Sequence, residues 1–236
     1  MTDPAMTPAL SLTDATFGWP GARGRGGFRL TCPRFDMQAG ESVLLLGESG
    51  SGKSTLLSLI CGINAVDGGR VEVAGTDLAN LRPGQRDRFR AERIGVIFQQ
   101  FNLLPYASVS DNIELPLRFA PVRRSRTGQG AAQKLCKALG LPEDVLSTAA
   151  GRLSVGQQQR VAAARALIGT PALIVADEPT SALDAATQDT FLKLLFAEAQ
   201  DAGTALLMVS HDARLGDRFD RVVRLEDIVT TQRSAA

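Results

Sequence analysis

The chain has 236 residues, 44% of them hydrophobic and 22% charged, with a formal net charge of +1. That length suits one sizeable domain or one domain carrying an insertion, and the composition is that of an ordinary globular protein. Near-neutral charge excludes a bulk attraction to nucleic acid or to an acidic membrane surface, and Cys32, Cys61 and Cys136, far apart and without metal-binding spacing, exclude a disulfide framework and a zinc site.

Those three cysteines read as small buried residues in a reducing compartment. The first residues lack a basic stretch followed by an apolar one, so no secretory leader is expected. No apolar run approaches the ~18 residues needed to span a bilayer, so direct membrane insertion is not expected.

In chain order, Leu10 to Phe17 and Phe28 to Phe35 read as strands around a Gly-rich turn, Gly18 to Gly27. Ser42 to Leu46 is a short apolar strand ending in a Gly-rich loop, and a helix is expected from about Lys53 to Cys61. Arg70 to Ala74 and Ile94 to Phe98 read as further strands. From about Asn102 to Val155 the pattern changes: helical periodicity at Val109 to Phe119 and Gly130 to Leu139, cut by Pro105, Pro116, Pro121 and Pro142. The basic run Arg123-Arg124-Ser125-Arg126 reads as a solvated loop. Helix returns at Gln157 to Leu167, a buried strand follows at Ala172 to Ala176, then helix at Ala185 to Asp201 and buried strand at Thr204 to Ser210. Alternating strands and helices predict a mostly parallel sheet covered on both faces.

The loop Gly47-Glu48-Ser49-Gly50-Ser51-Gly52-Lys53-Ser54, followed by Thr55, fits the phosphate-cradling pattern G-x-x-x-x-G-K-[ST] between a strand and a helix. Glycines let successive N–H groups turn inward toward phosphate oxygens, and the helix start adds its positive end. Lys53 can reach terminal phosphates, and the Ser54 hydroxyl can ligate magnesium. Leu173 to Ala176 is an apolar strand tipped by Asp177 and Glu178. Asp177 is placed to hold magnesium and Glu178 to polarise an attacking water. Gln99, just past a strand, can ligate the metal and orient water. His211, the only histidine, ends another buried strand, where it can steady a transition state.

Leu153-Ser154-Val155-Gly156-Gln157-Gln158-Gln159-Arg160, with the Ala-rich run to Leu167, resembles the signature of the ATP-binding-cassette family. Gln99, Ser181-Ala182-Leu183-Asp184 and His211 fall where that family has its remaining landmarks, and the resemblance runs from about Leu10 to Ile228. It implies an α/β P-loop NTPase cassette. A mostly parallel central sheet is flanked by helices, with an antiparallel β edge near the N-terminus and a helical subdomain insertion. One domain spans residues 1–236, with a core at about 10–101 and 157–230 and the insertion at about 102–156, the signature at its end.

The resemblance also implies ATP and Mg2+ as ligands and ATP hydrolysis as the activity. Trp19 would stack on adenine, with Phe17 as the rival. Ser154, Gly156, Gln157 and Asp184 would complete the site of an opposite subunit, in a homodimer or a heterodimer with a paralogue. The implied partner is a transmembrane permease, which would hold the chain at the cytoplasmic side of the inner membrane. The stretch from Ile94 to Pro105, with Asp111 to Leu117 after it, resembles the lipoprotein-release, macrolide-export and FtsE-type branch. The short stretch after His211 agrees with a compact subunit lacking a C-terminal sensor domain.

The alternatives are a soluble cassette acting in translation or repair, or a partner that binds ATP without hydrolysing it. Neither the near-zero charge nor the intact Lys53, Glu178 and His211 favours them. Two positions depart from the family pattern, Val155 and Ile228, each standing where glycine is usual. The second is expected to alter a surface turn.

Overall fold

In the computed structural model, the described residues are 7–19, 27–48, 50–181 and 183–233. The Gly18 to Gly27 turn therefore lies largely outside them. Two sheets form. The first is antiparallel: β1 (Leu10–Trp19) lies between β2 (Phe28–Met37) and β4 (Gly68–Val73), with β5 (Thr76–Asp77) beyond β4 and β10 (Thr230–Arg233) beyond β2. The second is wholly parallel, in the order β6 (Ile94–Ile97), β7 (Leu173–Asp177), β8 (Ala205–Ser210), β3 (Ser42–Leu46), β9 (Arg221–Arg224).

The parallel strands are apolar on both faces, and their residues divide by pleat. Leu44, Ile174, Ala176, Leu206 and Met208 pack into one core with the helices α3 (Val109–Glu114), α5 (Ala131–Ala138), α6 (Val155–Leu167) and α7 (Ala185–Asp201). Val43, Leu45, Leu173, Val175, Leu207 and Val209 point the other way, into a core shared with the antiparallel sheet and α1 (Lys53–Ile60). All six residues of β8 are buried, as expected of a central strand.

Several elements carry no apolar signature. The helix α2 (Pro83–Arg93) buries none of its residues; it starts because Pro83 presets the first helical dihedral and the Gln85 side chain accepts from the Arg82 N–H at 2.9 Å. The basic run is not a solvated loop, as expected above, but a short helix, α4 (Pro121–Arg126), and Arg123 is buried. The Arg123 guanidinium donates to the carbonyls of Ile168 at 2.6 Å, Ala166 at 2.6 Å and Ala91 at 2.9 Å. It thereby caps the C-terminal end of α6, where unpaired carbonyls carry partial negative charge. Burial pushes its pKa down to about 10.

Gly95 in β6 is fixed by the same packing, since a Cβ there would stand 2.3 Å from the carbonyl oxygen of Ala166. All three cysteines are free and buried, and burial raises their thiols to about 11 or 12.

Candidate functional site

A parallel sheet gathers chemistry at one edge, because all its strands end on the same side. Here four adjacent strands deliver their following residues there. β6 leads toward Gln99, β7 ends at Asp177 with Glu178 next, β8 leads to His211, and β3 runs into Gly47. The register places Leu46 opposite Ser210 and Asp177 opposite Val209. Residues scattered from 47 to 211 in sequence thus come into one row.

The loop after β3 is held by its own backbone. Gly47 N–H donates to Ser210 O at 3.4 Å, and the Ser51 hydroxyl to Glu48 O at 2.7 Å. Gly52 has φ +105°, in the region that favours glycine, and caps α1. A Cβ on it would meet Thr231 of β10 at 3.2 Å, and Leu30 and Phe28 of β2 at 3.4 Å. β2 and β10 therefore form a floor beneath the loop. Leu225, in the single-turn helix α8 (Leu225–Ile228), is buried, and its Cβ would stand 3.2 Å from a Cβ on Gly47. The segment expected to be a surface turn is thus partly a prop under the loop. Ser49 lies outside the described residues. Ser54 is exposed and Thr55 half-buried at the start of α1.

Glu178 is the centre of the charge arrangement. It is 8% exposed and sits at φ +44°, a strained backbone for a residue with a side chain. Lys53 Nζ donates to its Oε1 at 3.1 Å and to Gly47 O at 2.7 Å. His211 Nδ1 lies 3.0 Å from both carboxylate oxygens, and the rest of its ring is open to solvent. Burial, then the neighbouring Glu178 charge, raises the Asp177 pKa, while Lys53 pulls it the other way.

The Asp177 carboxylate, Ser54 hydroxyl and exposed Gln99 amide make no hydrogen bond among the described residues. Three uncommitted hard oxygens suit a magnesium ion, which takes only one or two carboxylates and completes its shell with water and phosphate. Among the described residues, no group of three or more His, Cys, Asp or Glu is placed to hold a metal.

Trp19 ends β1 half exposed. It meets Phe17 edge-on at 5.0 Å, and its indole N–H points to Thr55 Oγ1 at 3.3 Å. Phe17 is buried, which leaves Trp19 as the aromatic with a free face beside the loop. Ser154 and Gln157 form a reciprocal cap at the start of α6, Ser154 N to Gln157 Oε1 at 3.0 Å. Asp184 caps α7, accepting from Ala186 N, Thr187 N and the Thr187 hydroxyl, and these bonds lower its pKa. The two caps adjoin, because a Cβ on Gly156 would lie 3.7 Å from Thr187 Cγ2. Among the described residues, no hydrogen bond or ion pair joins 154–157 to the phosphate loop of the same chain.

Sequence reasoning missed the supports of these loops. Gln159 donates to Pro179 O, Gln188 to Thr180 Oγ1, Arg165 to the carbonyls of Phe101 and Asn102, and Gly18 N–H to Asp67. Polar residues inside the Ala-rich stretch of α6 were the available signal. A separate cleft of about 630 Å³ opens beside Phe98, next to Gln99. It is floored by Val96, Phe98, Leu115 and Phe119 and rimmed by Arg88 and Arg90.

The family model described as "ABC transporter" matches residues 30–181. The chain is 42% identical to the uncharacterized ABC transporter ATP-binding protein YbbA of Escherichia coli K12, covering 83% of this chain and 85% of that one. It is 41% identical to the lipoprotein-releasing system ATP-binding protein LolD of Anaeromyxobacter dehalogenans, covering 95% and 85%. With the macrolide export ATP-binding/permease protein MacB of Rhodopirellula baltica it shares 42% identity over 81% of this chain but 28% of that longer protein. Among solved structures, the dimeric post-hydrolysis state of the ATP-binding cassette MJ0796, bound to ADP and Pi, superposes with a TM-score of 0.75. Sequence identity there is 32%, and the match covers 91% and 93% of the two chains.

Proposed function

The chain belongs to the ABC transporter family, and from that footing we propose that it hydrolyses ATP as one of two copies closing on shared nucleotides, to drive a separate membrane permease of export or force-transmitting type. The observation that carries the reading is the row of strand ends holding Asp177, Glu178 and His211 beside Lys53 of the phosphate loop.

The chemistry follows from what each group can do there. The loop from Gly47 to Thr55 binds phosphates through backbone N–H groups, and Trp19 offers its open face to adenine. Magnesium, held by Ser54, Asp177 and Gln99, would neutralise charge on the phosphates. Lys53 lies against Glu178; phosphate oxygens would compete for that ammonium and free the carboxylate to accept a proton from the attacking water. His211 steers Glu178 through Nδ1 and presents its exposed edge to the terminal phosphate. Ser154 and Gly156, which make no bond to their own phosphate loop among the described residues, would meet the nucleotide of the second copy. The relatives named for lipoprotein release and macrolide export favour the export branch.

We assign the membrane part to a permease and place this chain at its cytoplasmic face, a reading supported by the relatives named as ATP-binding proteins of transport systems; no helix among the described residues is long and apolar enough to cross a membrane. The cleft beside Phe98 suits a short helix of that permease. Its floor is apolar, Phe119 is 65% exposed, and residues 82–93 hold five arginines against two acids. Residues 118–126 add four arginines and no acid, in a chain whose net charge is only +1. The fitting partner is therefore a helix with apolar side chains and acidic flanks.

The test compares the purified chain with Glu178→Gln for ATP hydrolysis, with mass by light scattering with and without ATP and magnesium. The expected outcome is turnover by the wild type and, in the variant, loss of turnover by about 10²-fold or more with accumulation of a dimer. A variant that hydrolyses ATP normally would overturn the assignment of Glu178.

A further inference from the structure

We propose that Gln159 and Arg165 are positioning residues through which α6 sets the loops carrying Glu178 and Gln99, so that what its Ser154 end has bound is felt at the hydrolytic carboxylate. The proposal rests on the reading that Ser154 and Gly156 meet nucleotide held by a second copy.

Gln159 is fully buried, and its Nε2 donates to Pro179 O at 2.5 Å, while its Oε1 has no partner among the described residues. Reversing the amide would set two oxygens face to face, so the donor orientation is the sound one. Burying an amide for a single bond is unfavourable, and an apolar side chain of the same size would bury no unpaired oxygen of its own there. What the amide provides that packing cannot is a directional hold on Pro179. That residue follows Glu178, whose backbone is strained at φ +44°, and as a proline it offers its neighbours only a carbonyl. The next residue, Thr180, is held from the other side by Gln188 of α7 at 2.9 Å.

Arg165 lies six residues further along the same helix, roughly 9 Å on and on a different side. It is 7% exposed and, among the described residues, pairs with no carboxylate. Its two terminal nitrogens donate to Phe101 O at 2.5 Å and Asn102 O at 2.7 Å. Both acceptors sit at positive φ, two and three residues after Gln99. The fork geometry of a guanidinium fixes two consecutive carbonyls in a way an ammonium cannot. Arg165 also lines the apolar cleft, so the same residue touches the proposed permease seat. Between the two anchors α6 is packed through buried Val161, Ala162, Ala163 and Ala164, side chains too small to yield independently of the backbone. A shift at Ser154 therefore reaches both loops through one stiff body.

The experiment takes the full chain as Gln159→Met, Arg165→Met and Arg165→Lys. It measures thermal unfolding, equilibrium binding of a fluorescent ATP analogue, and kcat, KM and the Hill coefficient for ATP. The expected result is a folded Gln159→Met that binds the analogue within about threefold of wild type but loses about tenfold or more in kcat, since binding groups are intact and only positioning is lost. Its Hill coefficient is expected to fall toward one, the value for uncoupled sites. Arg165→Lys, keeping one donor, should retain more kcat than Arg165→Met. Where Gln159→Met does not fold, Gln159→Leu, apolar and without a donor, takes its place. Unchanged kcat and Hill coefficient in a folded variant at Gln159 would overturn the relay. ATP-driven pairing of Glu178→Gln, read by light scattering, checks the two-copy reading separately: no pairing there sinks that reading, and pairing with unaltered variants sinks the relay alone.

Discussion

Asp177 illustrates a residue kept against the interest of the fold. Its raised pKa means that the folded protein holds the proton more tightly than the unfolded chain does. Below the unfolded value of about 3.9 this asymmetry has no effect; as pH rises through the folded value, ionisation works against folding, and at neutral pH the full burden remains. Asp177→Asn should therefore raise the melting temperature of the nucleotide-free protein at pH 7, with the gain shrinking as pH approaches 4. The same variant should lose magnesium-dependent hydrolysis. Calorimetry across that pH range checks the first half, and an unchanged or lower midpoint at pH 7 would contradict it.

At the scale of elements, α6 is fastened at its C-terminal end by Arg123, which donates to the carbonyls of Ala166 and Ile168. Arg123→Met keeps the apolar stem and removes every donor, leaving buried carbonyls unpaired. The expected loss is about 3 kcal/mol, which in a chain of this size lowers Tm by roughly 10 °C; a shift of under about 2 °C would show that the carbonyls find other partners.

Nothing in the run Arg123-Arg124-Ser125-Arg126 distinguishes the buried arginine from its exposed neighbours, which is why it read as solvated. The distinction is tertiary: the acceptors come from Ala91, Ala166 and Ile168, far away in sequence. By contrast β3, β7 and β8 were legible because strands buried on both faces must be apolar throughout, and the phosphate loop because its glycines and lysine answer to local geometry. The helix α2 and the edge strands β5, β9 and β10 were not, since they bury little and so impose no periodicity on the sequence.

Across the whole molecule, charge is unevenly spread in a way the net value of +1 conceals. Of the arginines in α2 and α4, Arg88, Arg90 and Arg123 line the cleft that borders Gln99's strand; Arg90 is paired with Asp87 and Arg123 is buried, leaving Arg88 exposed without an ion pair among the described residues. Charge reversal, Arg88→Glu, should weaken retention of the chain on permease-containing membranes, with ATP hydrolysis by the free chain as the control of folding. Pelleting with such membranes reads the outcome, and undiminished retention would argue that apolar contacts alone seat the partner. The effect should be largest at low ionic strength, where surface charges are least screened.

The floor beneath the phosphate loop has a consequence in time. Gly52 rests on β2 and on Thr231 of β10, which pairs with β2 from far along the sequence. The glycine-rich motif is local, but the surface that shapes it is complete only once that distant strand has docked. Folding of the loop is thereby tied to a long-range pairing, and the entropy of closing so long a segment makes such pairings slow.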